Sequence, residues 1–399
     1  MFNIIKYAIL GLKIFIIKIK LTVKTFFSIP KAVWEISRSR TDQKKVKLKK
    51  LKCKRKILKR NIQYPKFFIH RKFGKKNITV LPCLDSGFFS IFNNYVSHLV
   101  YTEENEIILP DWRLSNILIE QIDRLAFNNY KLISFCYGTK NDGNIFYKLF
   151  ENPYSEIDAD IYETNKMYHY ANKILNYLDY NEKKEPNLTA LNSYNLYNDA
   201  EYFPVFRKKY NETLKKYIRL KPEIQQKIKD FSEKNLKNHF VVSAFIRCKG
   251  HALELKENSP DIELWEAKLL EILNQNNIPV SSDKWRFFIA SDNDDAIHYF
   301  SEKYPENTVF QNMERLTHEQ EQEYENKKKE LGHDTWGYEL QHRKAADETQ
   351  HSLQNAIDVI FDVYTAASAD YLIYTNSNMS TAASYINPDL KMVYCKKEL

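Results

Sequence analysis

Two kinds of hydrophobic pattern alternate along this chain. Short, almost unbroken apolar runs at Ile78–Cys83, Val241–Ile246 and Tyr371–Tyr374 read as strands buried on both faces. Further short strands are expected at Ile107–Leu109, Leu132–Cys136, Arg286–Ala290, Thr308–Phe310 and Met392–Cys395. Helices are expected at 84–102, 262–274, 294–303 and 350–367, with another opened by the polar turn after Tyr374. A Tyr-rich stretch over 157–238 is mostly helical, broken at Glu185-Pro186-Asn187 and closed by one long charged helix, Asn211–Lys237. Residues 314–349 are intensely charged and read as a helical, solvated insertion or lid. Strands alternating with helices in this way imply an α/β fold with parallel sheets covered on both faces. Two such halves give two Rossmann-like domains facing a cleft, at 77–238 and 239–399, preceded by an arm at 1–76.

The arm has a pattern of its own. Its apolar first thirty residues are interrupted by Lys6, Lys13, Lys18, Lys20 and Lys24. The longest uncharged runs there are six residues, Tyr7–Leu12 and Thr25–Pro30, against the roughly 20 that span a bilayer. At helical spacing Lys6, Lys13, Lys20 and Lys24 share one face, within about 40° of one another, while Lys18 lies opposite. That describes a basic amphipathic helix lying in a membrane interface. The lysines also break any signal-peptide core, and no small-residue cleavage site follows.

Charge sharpens the division. Residues 1–76 carry 24 Lys/Arg against Glu35 and Asp42, a net of +22, while the remainder holds 36 against 49, a net of −13. Between Lys44 and Lys76, 16 of 33 residues are basic. An arm of this kind seeks an anionic surface, phospholipid headgroups or nucleic acid. Each basic residue near an anionic leaflet adds about 1 kcal/mol, so helix and patch form a two-part anchor. Nucleic acid is the disfavoured partner, because the body is acidic and has no reader motif. The expected location is cytoplasmic, peripheral to the inner face of the membrane.

The chain has 5 cysteines and 8 glycines in 399 residues. The cysteines are scattered without a CxxC pair, which points to a reducing compartment and to no zinc knuckle. No GxGxxG or GxxxxGK[ST] sequence occurs, so any phosphate must be held by side chains and helix starts.

Three strand ends in the second half carry polar clusters. After Val241–Ile246 comes Arg247-Cys-Lys-Gly-His-Ala-Leu-Glu254; an arginine there suits a bidentate grip on a diphosphate, though a lone arginine is also ordinary surface charge. After Arg286–Ala290 comes Ser291-Asp292-Asn293-Asp294-Asp295, which equally suits helix capping. After Tyr371–Tyr374 comes Thr375-Asn-Ser-Asn-Met-Ser380, where Ser377, Asn378 and Ser380 offer donors to a phosphate or simply cap a helix. His251 and Glu254 have metal-ligand spacing but no third ligand.

Taken in order, these clusters resemble the motifs of the fucosyltransferase superfamily that includes the alpha-1,6-, nodulation-type and protein O-fucosyltransferases. The resemblance covers about residues 240–395: Phe245-Ile-Arg247 through Glu254, then Ala290-Ser-Asp292-Asn293, then Asp362 through Ala369-Asp370-Tyr371 to Ser377-Asn378. A weaker echo stands at Gly87-Phe-Phe-Ser-Ile-Phe-Asn-Asn94. It implies a GT-B-type enzyme using a GDP-sugar as co-substrate, with no cofactor and no metal, and a glycan acceptor. Arg247 would hold the β-phosphate and neutralise the leaving diphosphate, with Ser377, Asn378 and Ser380 beside it. Asp362 would read the guanine edge, Asp292 would organise the donor pocket, and Glu254 would be the general base. Left to the residues alone, Glu254 is equally a solvated charge or a neighbour of Lys256 or His251. The family's histidine two residues before the arginine is Phe245 here, and its aspartate three residues after is Gly250. A homologue that binds nucleotide or glycan without turnover is the alternative those departures raise.

Overall fold

The computed structural model of the chain describes residues 72–73, 76–83, 85–100, 106–114, 134–155, 157, 202–247, 249, 260–333 and 337–396. The amphipathic helix expected in the arm, and Cys248, Gly250, His251 and Glu254, lie outside them. Two compact units separate. In the first, β1 (Lys72–Phe73), β2 (Lys76–Pro82) and β3 (Glu106–Asp111) form one sheet. β2 and β3 run parallel, with Asn77 opposite Glu106 and Pro82 opposite Asp111, and β1 pairs antiparallel with β2. The ladder therefore begins inside the basic patch.

The second unit holds all the described helices. α1 (Phe88–Val100), α2 (Phe146–Leu149), α3 (Tyr202–Tyr217) and α4 (Pro222–Asn235) precede a five-stranded sheet. Its strands are β4 (Phe240–Ile246), β5 (Trp285–Ser291), β6 (Thr308–Val309), β7 (Tyr371–Tyr374) and β8 (Lys391–Tyr394). They lie in the order β6-β5-β4-β7-β8, and every neighbouring pair is parallel. Interspersed are α5 (Ile262–Gln275), α6 (Asp294–Lys303), α7 (His318–Leu331), α8 (Leu340–Ala346), α9 (Leu353–Ala367) and α10 (Asn378–Ile386).

Residue alternation sends each strand's side chains to two covered faces. Val242, Ala244 and Ile246 of β4 join Phe287 and Ile289 of β5 in one core with α5 and α6. On the opposite face Ser243 Oγ donates to the Ala366 carbonyl of α9 at 3.1 Å. There Phe231 of α4 meets Phe361 of α9 and Phe288 of β5 edge-on, with ring centroids 5.0 and 5.9 Å apart. The second unit is thus a parallel sheet wound on both sides.

Three expectations are corrected. The described end of 132–136 is not a strand: the Ser134 and Phe135 N–H groups donate to Asp85 Oδ1 at 2.8 and 3.0 Å, which leaves no ladder for them. The single helix at 211–237 is two, because Pro222 lacks an N–H and opens α4 at its first turn. The junction pairs back on α2, with Glu151 N donating to Arg219 O at 2.8 Å and Lys221 N to Leu149 O at 3.0 Å. Finally, 314–349 is not a merely solvated excursion. Arg315, Glu321, Tyr324, Glu339, His342 and Lys344 are all buried there. Among the described residues, no helix is long and apolar enough to cross a membrane.

Candidate functional site at the strand carboxyl ends

From β4 the chain winds outward to β5 and β6, then returns past β4 to β7 and β8 on the other side. The direction of winding therefore reverses between β4 and β7. In open parallel sheets that switch point leaves a crevice beyond the strands' carboxyl ends, where ligands bind. Half-buried Arg247 follows β4 directly, and Ser377 and Asn378 follow β7 after two residues. Ile246 lies opposite Ser291 at the end of β5, and Ala244 lies opposite Ile373 of β7. Arg247, the cluster after β5 and the cluster after β7 consequently stand on one edge of one sheet.

The β7–α10 turn is built by two serines. Ser377 Oγ accepts the Ser380 N–H at 3.1 Å, and the Ser377 N–H donates to Ser380 Oγ at the same distance, a reciprocal cap. Ser380 is fully buried, and its hydroxyl lies within donating distance of the Thr375 and Ser377 carbonyls, at 2.9 and 3.0 Å. Its side chain shapes the turn from inside, whereas Ser377 and Asn378 are part-exposed. From α1, buried Asn93 donates through Nδ2 to the Asn378 carbonyl at 3.0 Å and to its Oδ1 at 3.2 Å. Tyr385 OH donates to Asn93 Oδ1 at 2.7 Å. At the far end of α10, Arg207 of α3 donates to the carbonyls of Ser384, Asn387 and Leu390 at 2.7 to 2.9 Å. α10 is thereby braced at both ends, its start facing the switch point.

The β5 loop is organised around Arg315. This buried guanidinium donates to the carbonyls of Ser291 at 3.1 Å, Met313 at 3.2 Å and Gln311 at 2.5 Å. Burial lowers its affinity for a proton, opposed by Asp362 first and then by Asp294, Asp292 and Asp358. Asn293 caps α6 by accepting the Asp295 N–H at 2.8 Å, so one residue of this cluster is a helix cap as the sequence also allowed. Asp292 is part-exposed, and its carbonyl accepts the Leu316 N–H at 2.8 Å.

Asp362 lies on α9, only 4% exposed, and its Oδ1 has no hydrogen-bond partner among the described residues. Burial pushes its pKa up to about 8; Asp358 adds to the rise and Arg315 opposes it. At neutral pH it is mostly a neutral acid with one unsatisfied oxygen.

Glu321, on α7, carried no signal in the sequence beyond belonging to a charged helix. It is 2% exposed, and its Oε2 accepts the Lys249 N–H at 3.2 Å. Burial and the nearby Asp292 push its pKa up to about 7. Asn93 was equally silent, apart from the weak echo around Gly87. Among the described residues, no three His, Cys, Asp or Glu side chains are grouped to hold a metal ion.

No family model and no curated protein matches the chain. Solved structures similar to it include NodZ alpha-1,6-fucosyltransferase soaked with GDP-fucose, 11% identical with a TM-score of 0.42, covering 78% of this chain and 94% of that one. The fucosyltransferase NodZ from Bradyrhizobium is 11% identical, with the same coverages and a TM-score of 0.41. POFUT1 in complex with GDP is 11% identical with a TM-score of 0.40, covering 81% of this chain and 99% of that one.

Proposed function

We propose that the chain is a glycosyltransferase taking a GDP-sugar, with fucose the sugar its motifs imply. The observation that carries this reading is the gathering of residues from three separate motifs at the carboxyl edge of one parallel sheet, with Arg247 and Ser377-Asn378 flanking its switch point. In this proposal residues 239–399 carry the donor site and residues 77–238 supply the acceptor side. The acceptor hydroxyl attacks the anomeric carbon as the bond to GDP breaks, inverting the configuration. Arg247 and the N–H groups opening α10 take up charge on the β-phosphate. Glu254 receives the acceptor's proton. Asp292 and Ser380 act by shaping the loops, and Asp362 reads the base. Arginine and helix-start donors make a metal unnecessary for the diphosphate.

Calorimetry on the full chain tests the donor, with UDP and CMP as controls. GDP is expected to bind selectively, and failure to bind it would sink the reading. Binding without transfer from GDP-fucose to any glycan would instead favour the non-catalytic homologue. The role of Asp362 has its own signature. Guanine offers two N–H donors on one edge, which match a carboxylate rather than a neutral acid. Starting from a pKa of about 8, Asp362 should ionise on binding and release close to one proton at neutral pH. Repeating the titration in buffers of different ionisation enthalpy measures that proton. In Asp362→Asn the release should vanish; undiminished release would exclude the assignment.

The acceptor in this reading is an envelope or lipid-linked glycan, reached from the cytoplasmic membrane face by the +22 arm. The full chain should sediment with vesicles rich in anionic lipid and not with neutral ones. Deleting residues 1–40 should abolish sedimentation while leaving activity toward a soluble acceptor intact. Equal partition of the truncated chain would refute the anchor.

A further inference from the structure

The helix α7 is polar on nearly every side, yet it buries Glu321 together with Tyr324 one turn further on. A carboxyl group loses solvation on burial, and nothing in the pattern of α7 demands one there. The start of the helix is stitched to the loop beyond β5: Leu316 N donates to Asp292 O at 2.8 Å, and Asp294 N to Leu316 O at 3.0 Å. One turn in, Glu321 reaches the other motif-bearing loop and accepts the Lys249 N–H, two residues after Arg247. Through Leu316 and Glu321, the start of α7 thus bridges the loops that follow the neighbouring strands β4 and β5.

We propose that Glu321 is a positioning residue of the donor site, tying the segment after Arg247 to the β5 loop so that the arginine is held at the switch point. The tether stands on the geometry; its service to a donor rests on the function proposed above. Among the described residues, the charged groups that face Glu321 come from three elements. The β4 loop brings the Lys249 N–H, and its ammonium pairs with Glu325 of α7 at 3.6 Å. The β5 loop and α6 bring Asp292 and Asp295, the latter paired with His318 at 3.0 Å. Burial and the two aspartates raise the carboxyl's pKa to about 7 while Lys249 opposes them. The Lys249 bond itself favours the ionised carboxylate, so when Lys249 lets go of a Glu321 that stays buried on α7, the tether it breaks is tighter as pH rises through neutrality.

Hydrogen exchange at the Lys249 amide reads the tether without any ligand. In the full chain, protection corrected for intrinsic rates should be greater at pH about 8 than at about 6. Glu321→Gln keeps an acceptor oxygen without a charge, so protection should persist and its pH dependence disappear. Glu321→Ala should lose about tenfold of the protection at the higher pH, the effect of one charge-assisted hydrogen bond. The same three proteins are then titrated with GDP, where the alanine variant should bind about tenfold more weakly and the glutamine variant within about threefold of wild type. Wild-type exchange in Glu321→Ala, or an unaltered pH dependence in Glu321→Gln, overturns the tether whatever GDP does. Lost protection in a chain whose wild type never binds GDP keeps the tether and removes the donor it was proposed to serve.

Discussion

Arg247→Ala is expected to weaken GDP binding by about 100-fold or more, and transfer with it, while the protein stays folded. Truncating one partner of a desolvated, hydrogen-bonded charge pair typically costs 2–5 kcal/mol, and a diphosphate is a doubly suitable partner for a planar guanidinium. The position concentrates the effect. β4 is the central strand, and its ladder with β5 ends at Ile246 opposite Ser291, so residue 247 lies just past the last rung. Substitution there falls outside the β4–β5 ladder and outside the core cluster that β4 and β5 share. Arg247→Lys separates charge from shape, since the ammonium keeps the positive charge but not the fork. It should recover part of the loss and remain about tenfold weaker than wild type. Calorimetry with GDP measures both variants, and thermal unfolding checks that they are folded. Alanine binding within about threefold of wild type would remove Arg247 from the site and with it the motif assignment.

That Arg247 stands at a strand end was legible because the evidence for β4 is local. An apolar run bounded by charge specifies a buried parallel strand without reference to its partners. For the same reason Asp294–Lys303 and Tyr371–Tyr374 appear with the boundaries the pattern gives. α9 begins three residues later than expected, at Leu353, because Ser352 supplies the cap and residues 348–350 form a short 3-10 turn. What failed depended on distant partners. Ser134–Cys136 is apolar enough for a strand, but the N–H groups of Ser134 and Phe135 are taken by Asp85, forty-nine and fifty residues away in sequence. Glu321 and Tyr324 look like any other positions of a charged helix, since the groups around Glu321 come from the loops after β4 and β5 and Tyr324 packs beside Tyr338, outside the helix. Asn93 holds Asn378 across 285 residues, a relation with no local sign. The candidate site residues divide along the same line. Chain order placed Arg247, Asp292 and Ser377 correctly at their strand ends, while the inward-turned hydroxyl of Ser380 and the burial of Asp362 emerge only from packing.

The burial of Asp362 and Glu321 predicts an unusual stability profile: the protein should become more stable as the pH falls from about 8 to about 6.5. Both carboxyls hold protons in the folded chain, with pKa values near 8 and 7, well above their ordinary 3.8 and 4.5. Over this window the unfolded chain has already released those protons, so it binds fewer than the folded one, and stability must fall with rising pH. Asp362 acts across the whole window and Glu321 mainly in its lower part. Together they amount to about 2–3 kcal/mol, at 1.36 kcal/mol per pH unit for each fully linked proton. Burial holds His98 down at about 4 from its ordinary 6.5. It therefore works in the opposite direction only below about 6.5, where the unfolded chain gains a proton that the folded one refuses, and there the slope should weaken. Glu266 is kept ionised by its bonds to Lys303, Tyr304 and Tyr299, so its contribution is lost only below 4.5, outside the window. Urea unfolding of the full chain at several pH values, followed by tryptophan fluorescence, measures the trend. Asp362→Asn should remove most of it, because the amide fills the same space without a proton to lose. A flat or rising profile in the wild type would mean that Asp362 is ionised in the folded protein. The proton release expected on GDP binding would then be lost as well.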